Sequence, residues 1–140
     1  MKRLFLDAYV LFTAAPDPRG KAALLMDLGR HGHWQIITSA LALEEARRNL
    51  VRKYHDRVEA LGDAVAGLTV VGIGRDSPCP LPLPEKDRPI FLAAQQSGAT
   101  HLLTGDVRHF GSLTNAPERT AGIVIQTAAA FLTDAVDGAG

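Results

Sequence analysis

Asp7 closes the apolar stretch "RLFL", and Asp106 follows another, "HLLTG". Between them stand Glu44 and Glu45 in "SALALEEARRNL" and Asp87 in "PEKDRPI". If the elements carrying these acids meet at one sheet edge, three or four carboxylates crowd together. Some would then have to take up protons to relieve their repulsion. A divalent cation removes that problem, and an all-oxygen ligand set suits Mg²⁺ or Mn²⁺. A cation held this way orients a phosphodiester, activates water as the nucleophile and stabilises the departing oxygen. Such chemistry needs acids alone, in keeping with a chain that offers no Ser-His-Asp or Cys-His arrangement.

Not every residue type in these stretches points one way. Helical spacing does not separate Glu44 from Glu45, since neither falls on the apolar stripe of its segment. Asp87 precedes Arg88-Pro89 and would also serve as a helix cap. The segment "EEARRNLVRKYHDR" is rich in arginine, and its Arg47 and Arg48 are candidate contacts for an RNA backbone. His109 is a candidate contact for phosphate or water. His31 and His33 alternate as some metal ligands do, but with no third ligand in view they read as loop residues.

Elements must deliver the acids to one place. Strands are expected at 3–6, 34–38, 68–73, 101–104 and 122–127, from short apolar or β-branched runs. Helices are expected from Asp17 to Arg30, with Leu24, Leu25 and Leu28 on one face, and from Ser39 as N-cap to about Tyr54. The apolar stripe of the second helix is Leu43, Ala46, Leu50 and Tyr54. Further helices are expected over 56–66, from near Arg88 to Gly98, and in "AAAFLTDAV". The segment "GRDSPCPLPLPEK" carries four prolines and reads as a stiff loop.

Strands alternating with helices imply an α/β protein: a three-layer α/β/α sandwich around a central parallel sheet of about five strands. A single domain over 1–136 with a C-terminal tail at 137–140 accounts for the whole chain. In such sheets, sites lie beyond the carboxyl ends of the strands, where strand order reverses. Asp7 and Asp106 share one crevice if strands one and four are neighbours there.

Composition sets the outer limits. The 140 residues are 46% hydrophobic and 21% charged, which suits a folded domain with its own core. A lone cysteine, Cys79, excludes a disulfide framework or an internal zinc cluster and fits a reducing, cytoplasmic compartment. Met1-Lys2-Arg3 and the apolar run after it superficially resemble a secretion signal, but Asp7 interrupts the run. No stretch approaches the roughly 18 apolar residues of a membrane span, so no membrane association is expected. With 15 basic and 15 acidic side chains the net charge is zero, which argues against a general nucleic-acid binder. A metal occupying some of the acids would leave the remaining surface basic.

The stretches "LFLDAYVLFTAA", "ITSALALEEARRNL" and "EKDRPIFLAAQQSGATHLLTGDVRHFG" resemble, in this order, the successive signatures of PIN-domain nucleases. The likeness is greatest to the small single-domain group that includes VapC-type toxins. This resemblance implies a PIN-like fold and a catalytic, metal-binding set of Asp7, Glu45, Asp87 and Asp106. It prefers Glu45 over Glu44, because the family's acid lies six residues after a strand-ending serine, here Ser39. It implies a Mg²⁺- or Mn²⁺-dependent endoribonuclease that leaves 5′-phosphate and 3′-hydroxyl ends. It also implies a toxin whose small antitoxin inserts a segment into the acidic cleft, and a homodimer. Two positions depart from the pattern. Tyr9 stands where a small polar residue, commonly asparagine, is usual, and Val107, Arg108 and His109 stand where a further acid or polar residue often follows.

Two other readings compete. A haloacid-dehalogenase-like phosphatase would use Asp7 as nucleophile with Thr38 or Ser39, Lys86 and Gly105-Asp106. It lacks the second aspartate, since that position is Tyr9, and it leaves Glu45 and Asp87 without a role. A catalytically silent PIN-like binding module would be free to lose acids, and here all of them are present.

Overall fold

Apolar residues alternate along the strands, and that alternation builds two cores, one on each face of a sheet. The computed structural model describes residues 1–72, 77–105, 108 and 110–138. Its elements are β1 (Arg3–Leu6), α1 (Ala8–Ala14), α2 (Lys21–Arg30), β2 (Gln35–Ser39), α3 (Ala40–Lys53), α4 (Val58–Val65), β3 (Thr69–Val71), α5 (Arg88–Gln96), β4 (His101–Leu103), β5 (Val124–Gln126) and α6 (Ala128–Gly138). All five strands run parallel in the order β3-β2-β1-β4-β5. Strand order reverses at the β1/β4 pair, with Leu6 in register with Leu103. The first and fourth strands are therefore neighbours, as the shared crevice requires.

Leu4, Leu6, Ile36 and Leu103 turn to one face of the sheet. There they meet Val10 and Leu11 of α1, Leu25 and Met26 of α2, Ala46 and Leu50 of α3, Leu61 of α4 and Phe131 of α6. Phe5, Ile37, Leu102 and Ile125 turn to the other face and pack on Phe91 and Ala94 of α5. Leu81 and Leu83 complete this second core. In "PLPLP" the leucines are buried and the prolines face outward, so the expected stiff loop is a strap across the sheet. Each fully buried Leu or Phe contributes about 1.5–3 kcal/mol relative to an exposed one. The result is the expected three-layer α/β/α fold.

Local boundaries differ from the sequence-based expectations in instructive ways. Helix α1, left unassigned by periodicity, occupies seven residues directly after β1. The helix expected from Asp17 begins instead at Lys21, because Asp17 forms a turn. Its Oδ1 accepts the Arg19 N–H (3.2 Å) and its carbonyl accepts the Gly20 N–H (3.0 Å). On α2, Ala22, Leu25 and Met26 are buried while Leu24 stands half-exposed. On α3, Ala42 joins Ala46 and Leu50, and Tyr54 lies at the surface against Phe12. Helix α6 continues to Gly138, two residues beyond the domain limit expected at 136. Among the described residues, no helix is long and apolar enough to cross a membrane.

Candidate active site

The backbone of Asp7 keeps the end of β1 beside the end of β4, its N–H donating to the Leu103 carbonyl at 3.1 Å. Its side chain then turns to cap α1, Oδ1 accepting the Val10 N–H at 3.0 Å. Thr104 is held by its own N–H on the Gln126 carbonyl (2.9 Å), and its side chain hydrogen-bonds Asp7. The backbone of Gly105 contributes a further hydrogen bond. Burial pushes the Asp7 carboxyl up from its ordinary 3.8 to about 6. The hydrogen bonds from Thr104, Val10 and Gly105 restrain that rise, and the nearby Glu45 carboxylate adds to it.

Glu45 arrives on α3, which Ser39 caps, its Oγ accepting the Ala42 N–H at 3.1 Å. Spacings of four, seven and eight residues put Asn49, Arg52 and Lys53 on the helix face that carries Glu45. All four line the cleft over Asp7. Glu44 does not. It forms a two-pronged ion pair with Arg47, at 2.8 and 3.1 Å, on the exposed side of the helix. Of the two adjacent glutamates, Glu45 is the one in the cleft. Arg47 and Arg48, expected to touch RNA, do not line it. Arg52, Lys53 and Lys86 do; the sequence reading proposed none of them as an RNA contact and named Lys86 only in the phosphatase scheme. The signal for the first two was the period of α3 counted from Glu45.

Asp87 ends a short 3₁₀ turn, Glu85–Asp87, with its N–H on the Pro84 carbonyl at 2.9 Å. Its side chain makes no cap on α5. It lines the same cleft instead, with Oδ2 buried. The proline strap fixes this entry, since Arg88 Nε donates to the Leu83 carbonyl at 3.0 Å. Asp106 and His109, the remaining candidates, lie outside the described residues.

The cleft has a volume of about 400 Å³, and Phe12, Ile90 and Phe110 supply apolar wall. Asp7, Glu45 and Asp87 reach it from three separate elements. Among the described residues, no three His, Cys, Asp or Glu side chains stand close enough to form one metal-binding group. The chemistry of the donors nevertheless fits a hard divalent ion: oxygen ligands only, one of them a part-buried acid whose charged form desolvation disfavours. Asp7, Glu45 and Asp87 are the described residues that could hold it.

Other hydroxyls near the sheet edge are committed elsewhere. Thr38 Oγ1 donates to the Leu6 carbonyl at 2.9 Å, and Ser39 caps α3. Neither lines the cleft, so a phosphatase scheme finds no second-strand hydroxyl facing Asp7.

No family sequence model and no curated protein sequence matches the chain. Solved structures do. A chain in the structure of VapBC2 from Rickettsia felis, bound to a DNA fragment from their promoter, superposes with a TM-score of 0.63 at 14% identity, over 89% of this chain and 98% of that one. VapC20 of Mycobacterium tuberculosis, described as a sarcin–ricin-loop-cleaving toxin, superposes with a TM-score of 0.53 at 16% identity, over 78% and 94%. At these identities the likeness is one of architecture: the chain has the three-layer, PIN-like α/β/α fold found in VapC structures.

Proposed function

We propose that the cleft is the active site of a metal-dependent endoribonuclease. One observation carries the reading: carboxylates from β1, α3 and the turn before α5 converge on a single cleft walled by Arg52, Lys53 and Lys86. Asp7, Glu45 and Asp87, with Asp106, would be the residues to hold Mg²⁺ or Mn²⁺, and the bound ion would supply the charge that activates water and stabilises a phosphodiester under in-line attack. The cations along α3 and at Lys86 hold backbone phosphates on either side of the bond being cut. Phe12, Ile90 and Phe110 limit the water that reaches it. Water adds to phosphorus, the bond to the 3′ oxygen breaks, and that oxygen takes a proton. The products carry 5′-phosphate and 3′-hydroxyl ends.

The likeness to VapC structures supports a toxin role with a small antitoxin of the VapB type as partner; a homodimer and a cytoplasmic setting belong to the same proposal. A mixed pool of structured RNA, incubated with Mg²⁺ or Mn²⁺, tests the enzymatic core of this reading. The wild type cuts, while EDTA and Asp7→Asn each stop the reaction. Cleavage that survives Asp7→Asn would remove this cleft as the site.

A further inference from the structure

Tyr9 carries a large aromatic ring that the fold neither buries nor leaves loose. It stands in the first turn of α1, two residues after Asp7, and 55% of its surface is exposed. Behind it the Thr104-Gly105 turn comes so close that a single Cβ added at Gly105 would overlap the Tyr9 ring. Glycine at 105 is therefore what lets the ring seat against backbone, and the seat fixes where the ring stands.

That position is a ridge. Tyr9 and Thr104 line the acidic cleft and also a second groove of about 350 Å³, bounded by α1 and the starts of α2 and α6. Arg52, Lys53 and Lys86 flank the ridge on the cleft side, and Lys21 lines the groove on the other. Asp17, also in that groove, directs its carboxylate to the Arg19 N–H. An exposed ring backed by the chain, with cations on both sides, suits a nucleic-acid strand laid across it. The phosphates follow the charges while a base stacks on the ring. A paired base, locked inside a duplex, offers no such face.

We propose that Tyr9 is the stacking platform for an unpaired base beside the bond that is cut. It restricts the site to single-stranded or loop RNA. The proposal rests on the endoribonuclease reading. Tyr9 touches substrate through its ring face, so Phe and Trp replace it and Ala does not.

The test uses the full-length chain carrying Asp7→Asn, so that RNA is bound without being cut. Fluorescence anisotropy follows a short end-labelled single-stranded RNA and the same strand annealed to its complement. Adding Tyr9→Ala weakens single-strand binding by about 5- to 100-fold, while Tyr9→Phe leaves it intact and duplex binding does not move. Tyr9→Trp gives a direct readout, because the new indole is quenched when a base stacks on it, against a constant background from buried Trp34. Equal single-strand binding with and without Tyr9→Ala overturns the platform. So does a loss in Tyr9→Phe as large as in Tyr9→Ala, which would assign the effect to the hydroxyl. In either case the nuclease reading survives if the protein with Asp7 intact still cuts RNA. If that protein neither binds nor cuts RNA, the nuclease reading falls and the platform falls with it.

Discussion

The two ends of β1 carry opposite charges and treat them in opposite ways. At the amino end, the Arg3 guanidinium donates to Gln35 Oε1 at 2.5 Å and to the Ser97 carbonyl at 2.7 Å. The Arg3 backbone exchanges hydrogen bonds with the Thr100 hydroxyl at 2.9 and 3.0 Å. Oriented neutral groups from β2 and the α5–β4 connection satisfy that cation, and it ties three segments together. At the carboxyl end, Asp7 meets three neutral donors, a low-dielectric surrounding and a second carboxylate, and its charged form stays disfavoured to about pH 6. A charge that the fold satisfies serves the fold. A charge that the fold brings together with its like and strips of water costs the fold stability whenever it is ionised.

The sharpest way to break this contrast is Asp7→Asn, which should abolish function and improve stability at once. RNA hydrolysis should fall by about 10³-fold or more, the scale expected when a group acting in the chemical step is removed. The folded-state value near 6 lies above the ordinary 3.8, so folded protein binds the Asp7 proton more tightly than unfolded chain does. The stability it contributes is complete below pH 4 and is lost as pH rises through 6, about 3 kcal/mol by pH 7. In urea titrations of metal-free protein, Asp7→Asn should recover up to about 3 kcal/mol at pH 7 and little at pH 4. A variant less stable than wild type at pH 7 would mean that Asp7 belongs to the fold as Arg3 does.

Arg3→Ala should do the reverse. Loss of its charged hydrogen bonds to Gln35 and Ser97 should cost about 2 kcal/mol of unfolding free energy, with kcat unchanged. A fall in kcat at constant stability would erase the distinction between the two ends. A smaller effect is expected from Arg52→Gln, which should flatten the salt dependence of single-stranded RNA binding by about 0.7 in log–log slope for one lost phosphate contact. An unchanged slope would take Arg52 out of the RNA path. Smallest of all, Glu44→Gln should leave both the thermal midpoint and cleavage where they were, since its partner Arg47 lies outside the cleft on an exposed surface. The same change at Glu45 should lower cleavage.

Much of this architecture was legible in the sequence because a buried parallel sheet writes its pattern plainly. Runs such as "RLFL" and "QIIT" alternate between two cores, and Asp7 stands just past the end of the first. Helix α1 was not legible. It is short, it mixes Tyr, Val and Phe with Ala, and its capping residue doubles as the end of a strand. Capping by Asp87 was a fair expectation from composition, yet its backbone is already helical at φ −91° and ψ −16°. Caps favour extended geometry, so the carboxylate is directed elsewhere. Glu44 and Glu45 share every property that hydrophobic periodicity can see, and only the placement of α3 against α1 separates them. The same placement moves the cationic wall from Arg47 and Arg48 one to two turns onward, to Arg52 and Lys53.

The cap on α1 also has a bearing on descent. Asp7 holds the helix through Oδ1, and asparagine offers the same oxygen with the same reach. Aspartate and asparagine codons differ by one base, so under the proposed function a single point mutation would disarm this cleft while keeping the cap that folds α1. If the cleft is the nuclease site proposed above, a lineage under pressure from that activity has a short road to harmless copies that keep their surfaces intact. Inert relatives should therefore be recognisable by an amide at this position inside an otherwise undisturbed sheet.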